Sequence, residues 1–270
     1  MIKQEIKHLR KEGYSYREIC RKLNTSYGTV ERSCQGIKIS EAGLKRLSSL
    51  NGVLKQIKFK EGLSEAKVRI ISNLLFDGAV YISNGYHYSI MYVNSSDELI
   101  SQFVDDMKQV YGVNPFLEVQ PNYKRVNYNS KVIYNDLMKY FKSYSTSSDL
   151  CFIPNEIMKG PKAFKIIILR AFWENEGSIS KSGQLAADLK SLKVINQLSK
   201  LHNEFGLKHN ITRYTEPTGF MYKLFLSKTN ENYQRFTDLK LFSKAMITKG
   251  FNKGKKKAKV LKIVMDSIYH

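Results

Sequence analysis

The sequence predicts an α+β chain: two halves built to one helix, hairpin, helix, strand-pair plan, preceded by a small all-α module. Three observations predict it. A basic stretch at the start carries two helix-capping signals around a single turn residue. From residue 63 onward one order of apolar helical stretches and short alternating stretches occurs twice. Each copy opens on a largely apolar helix that ends in an acid directly before a glycine, Asp77-Gly78 and Glu176-Gly177. At 270 residues and 42% hydrophobic composition the chain has room for one large domain plus a small one, and disorder is excluded as its default state.

Charge narrows the function classes. Forty-four Lys and Arg stand against 24 Asp and Glu, a formal net charge of +20. So large an excess attracts polyanions and repels a compact copy of itself, so nucleic acid is the expected partner. A membrane is not expected. Apolar runs such as Ile166 to Leu169 fall far short of the roughly 20 residues a spanning helix needs. Met1-Ile2-Lys3-Gln4-Glu5 carries charge where a signal peptide would be apolar. Cys20, Cys34 and Cys151 are odd in number and lack metal-ligand spacing, so they read as reduced thiols of a cytoplasmic chain that is nucleoid-associated when bound to DNA. The five scattered histidines form no Ser-His-Asp or Cys-His set, so covalent catalysis is not indicated and no small-molecule substrate is expected.

Residues 1–60 hold 14 Lys and Arg against 5 acids. Ile6 to Leu9 supplies a first helix. Ser15 and Glu18 form a capping box for a second, striped by Ile19 and Leu23. Asn24 falls where a tight turn needs a residue tolerant of the left-handed conformation. Ser26 caps a third helix that Val30 packs back. This arrangement resembles the helix-turn-helix of resolvases. The resemblance implies that Ser26, Tyr27, Thr29 and Arg32 contact bases or phosphates in the major groove. A helical packing module without a ligand is the alternative. Residues 1–38 are assigned to this domain, and 39–62 are read as a basic linker carrying Lys55, Lys58 and Lys60.

The first half opens at Ser64, a helix cap, and runs to Gly78. The second opens at Gly160-Pro161 and runs to Gly177. Both glycines are expected to end their helices in the left-handed conformation. Hairpins follow at Ala79 to Val93 and Ser178 to Leu189. Helices come next at Glu98 to Tyr111 and Lys193 to Phe205, then strand pairs around Phe116 to Ser130 and Asn210 to Ser227. Each strand pair closes on Ser-Lys. Acid and lysine are 54 residues apart in one half (Asp77, Lys131) and 52 in the other (Glu176, Lys228). The repeats are assigned to 63–146 and 161–240, with a linker at 147–160. A basic C-terminal segment, 241–270, has eight lysines against one acid, Asp266. Within it Lys253 to Lys259 read as a phosphate-binding loop before a last helix through Val260, Ile263 and Val264, with a flexible solvated run as the alternative.

Phe152-Ile153-Pro154-Asn155-Glu156-Ile157, then Leu169-Arg170-Ala171-Phe172 and Glu176-Gly177-Ser178, with the matching Ser72 to Gly78 in the first half, resemble the single-chain, two-repeat LAGLIDADG homing endonucleases over roughly residues 63–240. The resemblance implies two pseudo-symmetric αββαββα repeats, motif helices side by side, and a curved sheet that saddles DNA. The third motif position is small in both helices, Ser72 and Ala171. The seventh, commonly small, is Phe76 and Asn175, and the second acid is a glutamate, one methylene longer than aspartate.

What the resemblance implies for chemistry is a metal-dependent double-strand cut. Asp77 and Glu176, with Gly78 and Gly177 behind them, would hold Mg²⁺ or another divalent ion such as Mn²⁺. Lys131 and Lys228 match the family's basic catalytic residues beside each active centre, which the resemblance implies order the attacking water or stabilise charge on the phosphate, and Ser95 and Lys190 fall near a further polar position of the water network. Saddle contacts to double-stranded DNA are expected from Tyr81, His87, Lys124, Arg125, Gln184, Lys190, Arg213, Tyr214 and Lys223. The chain is expected to act as a monomer with internal pseudo-twofold symmetry. A regulator that kept the scaffold without cutting, and a maturase that binds its own intron RNA, are the rival readings.

Overall fold

The computed structural model describes residues 2–51, 57, 59–85, 87–217, 219–247 and 252–269. Lys55 and Lys58 lie outside the described residues. The chain divides into two compact units, Met1–Ile57 and Lys58–His270.

In the first unit the described helices are α1 (Ile2–Lys11), α2 (Tyr16–Leu23), α3 (Tyr27–Cys34) and α4 (Glu41–Asn51). Polar side chains set the helix starts. The Ser15 backbone N–H donates to Glu18 Oε2 at 2.7 Å, and Glu18 N–H donates back to Ser15 Oγ at 3.3 Å. The backbone and side-chain hydrogen bonds of Ser15, helped by Arg46, hold the Glu18 carboxyl below its usual range. Asn24 takes the left-handed turn at φ 45°, ψ 50°, and Ser26 Oγ accepts from Thr29 N–H at the start of α3. Ile6, Ile19, Val30 and Cys34 close the small core.

Within the stretch read as a basic linker, Glu41–Asn51 form α4, which packs onto the turn after α1. Gly43 permits this, because a Cβ there would stand 2.2 Å from the Lys11 carbonyl oxygen. Arg46 then lies 3.4 Å over the Tyr14 ring and bonds Glu18 at 3.1 Å. A linker reading based on charge alone does not see such backbone contacts.

The second unit repeats one plan. Its first half runs α5 (Glu65–Asp77), β1 (Gly78–Ser83), β2 (His87–Asn94), α6 (Asp97–Tyr111), β3 (Phe116–Gln120), β4 (Tyr123–Asn129) and α7 (Lys131–Leu137). After a short α8 (Asn155–Met158), the second half runs α9 (Lys162–Asn175), β5 (Gly177–Ile179), β6 (Leu185–Leu189), α10 (Leu192–Glu204), β7 (His209–Glu216), β8 (Gly219–Leu226) and α11 (Asn230–Asp238), with α12 (Lys257–Tyr269) at the end. Among the described residues the strands form two antiparallel four-stranded sheets, ordered β1-β2-β4-β3 and β5-β6-β8-β7. The expected αββαββα order therefore holds in both halves.

Burial alternates along the strands, so each sheet has one helix-covered face. Ile90, Tyr92, Val126 and Tyr128 fill it in the first sheet, and Leu185, Ala187, Leu189, Leu224 and Leu226 in the second. The first half is also tied by a buried ion pair: Lys67 Nζ, on α5, donates to Asp136 Oδ2, on α7, at 2.8 Å. Tyr111 OH, on α6, donates to the same oxygen at 2.8 Å. In the second half Trp173 Nε1–H donates to His202 Nε2 at 3.0 Å. Burial drives the His202 imidazole down to about 3, so it is neutral and accepts that bond.

The motif helices α5 and α9 pack on each other, with Phe76 and Phe172 rings 5.6 Å apart. Asn175 suits the contact by bonding, not by being small: its Nδ2–H donates to Asn73 Oδ1 at 3.0 Å and to the Ala171 carbonyl at 2.8 Å. The expected left-handed helix ends do not form. Gly78 is extended at φ −124°, ψ −179°, and Gly177 is absent from the positive-φ residues. These glycines are needed for close approach instead. A Cβ on Gly78 would lie 2.5 Å from Leu74 Cα, and one on Gly177 would lie 2.3 Å from the Trp173 carbonyl oxygen.

Candidate active site and nucleic-acid interface

Helix α5 ends on Asp77 and the chain passes straight into β1. Glu176 is the residue after α9, and β5 starts at Gly177. Because α5 and α9 pair, both acids line one cleft of about 660 Å³, together with Asn94, Ser95, Asp188 and Lys257. Asn94, the last residue of β2, ties the two helix ends. Its Nδ2–H groups donate to Asp77 Oδ2 at 2.9 Å and to Asn175 Oδ1 at 3.0 Å. Tyr92 OH donates to the same Asn175 oxygen at 3.0 Å.

The electrostatics are those of two partly buried acids that share one cleft. Burial raises the Asp77 carboxyl to about 6, against the opposing pull of Lys257 and the Asn94 hydrogen bond. Burial raises Glu176 further, to about 8, with the Asp77 charge adding to it and Lys257 opposing. The Lys257 ammonium is pulled down to about 8 by burial, in spite of Asp77, Glu174 and Glu176.

A stability prediction follows from Glu176. Its folded pKa lies above its unfolded value of about 4.5, so the folded state holds the proton more tightly. Its unfavourable contribution is complete above pH 8 and relieved as the pH falls from about 8 towards 4.5. Without divalent metal, Glu176→Gln is expected to stabilise the protein by about 2 kcal/mol at pH 8 and by nothing measurable at pH 4.5. Urea denaturation at the two pH values checks this; an equal effect at both would contradict it.

The chemistry of the donors fits a divalent metal. Carboxylate oxygens are hard ligands, and Mg²⁺ is commonly held by one or two carboxylates with water and phosphate oxygens completing the shell. Among the described residues no group of three or more His, Cys, Asp or Glu forms a protein-only cage. A cationic group already stands in the cleft: Lys257 Nζ donates to the carbonyl oxygens of Glu174, at 3.0 Å, and Gly177.

Lys131 and Lys228 do not line this cleft. Lys131 begins α7 with its ammonium 5.5 Å over the Tyr88 ring, and Lys228 Nζ donates to Ser182 Oγ at 3.0 Å. Ser95 does line the cleft, immediately after β2, and Lys190 holds the corresponding place after β6. Lys257 was expected only within the Lys253 to Lys259 phosphate-binding loop, whereas it begins α12 and is buried with its ammonium on two main-chain carbonyls. In the sequence it is one of a run of like lysines, and nothing local marks it as the one turned inward.

Strand register sorts the expected DNA contacts, because cross-strand partners share a face. Tyr81 pairs with Ser89, and His87 with Ser83. Both belong to the face opposite Ile90 and Tyr92, as does Arg125, which bonds Glu118 at 3.1 Å. Tyr214 and Lys223 share the open face of the second sheet around Asp188, at 3.0 Å and 3.6 Å. Three other expected contacts are placed differently. Lys124 has the parity of Val126, on the helix-covered side, and pairs with Asp97 at 2.7 Å. Arg213 has the covered-face parity through Tyr222 but is exposed near the strand end, 4.5 Å over the exposed Phe220 ring. Gln184 Nε2 is committed to the carbonyls of Leu185 and Leu226.

On α3 of the first unit, Tyr27 is exposed, the Ser26 and Thr29 hydroxyls bond each other at 2.9 Å, and Arg32 Nε–H donates to Gly28 at 3.1 Å. No helix among the described residues is long and apolar enough to cross a membrane.

Two αββαββα halves that pair their first helices, each helix ending at an acid before glycine, define the LAGLIDADG fold. No family model and no curated protein matches the chain. Solved structures do. Mesophilic variants of the homing endonuclease I-DmoI align with a TM-score of 0.50 at 15% identity, over 65% of this chain and 94% of theirs. The homing endonuclease I-WcaI, bound to its DNA recognition sequence, aligns with a TM-score of 0.46 at 13% identity, over 77% and 91%. The N-terminal LAGLIDADG domain of WhiA aligns at 0.40 and 15%, over 68% and 86%. At 15% identity the I-DmoI likeness is one of fold.

Proposed function

We propose that the chain is a site-specific DNA endonuclease of homing type, hydrolysing a phosphodiester in each strand of a duplex with a divalent metal. The observation that carries this reading is the meeting of Asp77 and Glu176 in one cleft at the ends of paired helices. The fold likeness to the homing endonuclease I-DmoI and the net charge of +20 support it.

Asp77 and Glu176 hold Mg²⁺ or Mn²⁺, with the Gly78 and Gly177 backbone beside them. When bound, such an ion lowers the pKa of a water and stabilises charge on the phosphate oxygens. Asn94 fixes the angle of Asp77, and the cleft limits access of bulk water to both carboxylates. Tyr81, His87, Arg125, Tyr214 and Lys223 face the duplex from the open sheet faces, where base edges give sequence and phosphates give affinity. Lys131 and Lys228, which stand outside the cleft without DNA, would order the attacking water or stabilise charge on the phosphate once the duplex is bound, and Ser95 and Lys190 follow the strands at the edge of the centre. Helix α3, through Ser26, Tyr27, Thr29 and Arg32, adds a contact outside the saddle. The halves differ in sequence, so one copy of the chain suffices for an asymmetric site, and a reduced cytoplasmic location suits its thiols.

One observation favours a second reading, a sequence-specific DNA binder that does not cut: the lysine ammonium already standing in the cleft. Selection from a randomised duplex library in Mg²⁺ separates the two. The nuclease reading predicts recovered cut ends that define one long site. A site enriched by binding but never nicked in Mg²⁺ or Mn²⁺ would establish the regulator instead.

A further inference from the structure

We propose that Lys257 is a built-in cation of the carboxylate centre, held there by the C-terminal segment, and that a divalent ion entering the centre must displace it. This rests on the reading of Asp77 and Glu176 as a metal site.

The last turn of α9 grips the C-terminal segment at two points. The Glu174 carboxylate accepts from Ser243 Oγ at 2.6 Å and from the backbone N–H groups of Ser243 and Lys244 at 3.1 Å and 2.9 Å. The Glu174 main-chain carbonyl accepts from Lys257 Nζ at 3.0 Å. Between these points Met246 bridges Lys256, and Lys257 N–H donates to the Ala245 carbonyl at 2.9 Å. Lys256 pairs with Glu98 on α6. The segment thus returns on itself and delivers one side chain, 7% exposed, into the cleft.

What that side chain meets is a cation site. Its ammonium donates to two carbonyl oxygens at the end of α9, and the Asp77, Glu174 and Glu176 carboxylates act on its charge. Gly177, one of those carbonyl partners, is also a backbone position beside the proposed metal ligands. An ammonium and a divalent ion at the same oxygens repel each other. A buried lysine is costly unless its ammonium is satisfied, and here two main-chain carbonyls accept from it while the charges of the centre's acids favour its protonated form.

Manganese titration in the absence of DNA, followed by the Mn²⁺ electron paramagnetic resonance signal, tests this without reference to cleavage. Lys257→Met is expected to bind Mn²⁺ at least about tenfold more tightly than wild type, with the gain lost when Asp77→Asn is added. Amide exchange of wild-type α12 provides a second arm that needs no variant, and residues 257–261 are expected to exchange faster once Mn²⁺ is saturating. If Lys257→Met binds Mn²⁺ no better, or exchange does not change at saturation, Lys257 is not displaced and the inference falls. The metal-site reading survives that result if Asp77→Asn alone still weakens binding. If wild type and all variants bind equally poorly, both fall.

Discussion

Replacing Asp77 by Asn or Glu176 by Gln is expected to end DNA cutting in Mg²⁺ while leaving DNA binding intact. Each substitution keeps the size of the side chain and removes a hard, charged ligand. Loss of a group that only orients a metal ligand costs about 10–100-fold, so removal of a ligand itself should exceed about 100-fold. Binding should be unchanged or slightly tighter, because one negative charge facing phosphates has gone. Supercoiled and linear plasmids carrying a selected site give the cutting rates, and gel shifts give the affinities. Equal loss of binding and cutting would mean that these acids hold the fold together and do not serve the reaction.

The largest expected effect on stability lies away from the cleft. Lys67 and Asp136 are 1% and 2% exposed, and their ion pair joins α5 to α7. Lys67→Met leaves the buried Asp136 carboxylate with the Tyr111 hydroxyl and the more exposed Lys139 ammonium, 3.6 Å from its other oxygen, so a loss of about 3 kcal/mol, at the low end for breaking a buried pair, is expected. Adding Asp136→Asn removes the stranded charge and keeps an acceptor for Tyr111, so it should recover much of that loss. Chemical denaturation of the two variants measures both terms. A cost below about 1 kcal/mol for Lys67→Met would show that the pair is offset by its own desolvation.

The repeated plan was legible because it is written in strong local signals. Ser64, Ser15 and Ser26 cap helices where capping predicts them, and the alternation of apolar residues marks the strands. The juxtaposition of Asp77 and Glu176 was legible only through the repeat, since nothing near either acid announces the other. Three things could not be read. Strand register at the sheet ends gave Lys124 and Arg213 the parity of the covered face, because polar ends of strands carry no hydrophobic alternation to fix their facing. Gly78 and Gly177 looked like left-handed helix ends, whereas their need is set by the nearness of the previous helical turn. Lys257 was hidden among identical neighbours, and only the return of the C-terminal segment onto Glu174 selects it.

Crystals of the protein with its selected DNA, grown in Mn²⁺ and measured at a wavelength where manganese scatters anomalously, give the most direct test of the account. It predicts anomalous density within bonding reach, about 2.0–2.2 Å, of a carboxylate oxygen of both Asp77 and Glu176. Manganese bound only at other sites, with these two carboxylates still facing Lys257 in the DNA complex, would contradict it.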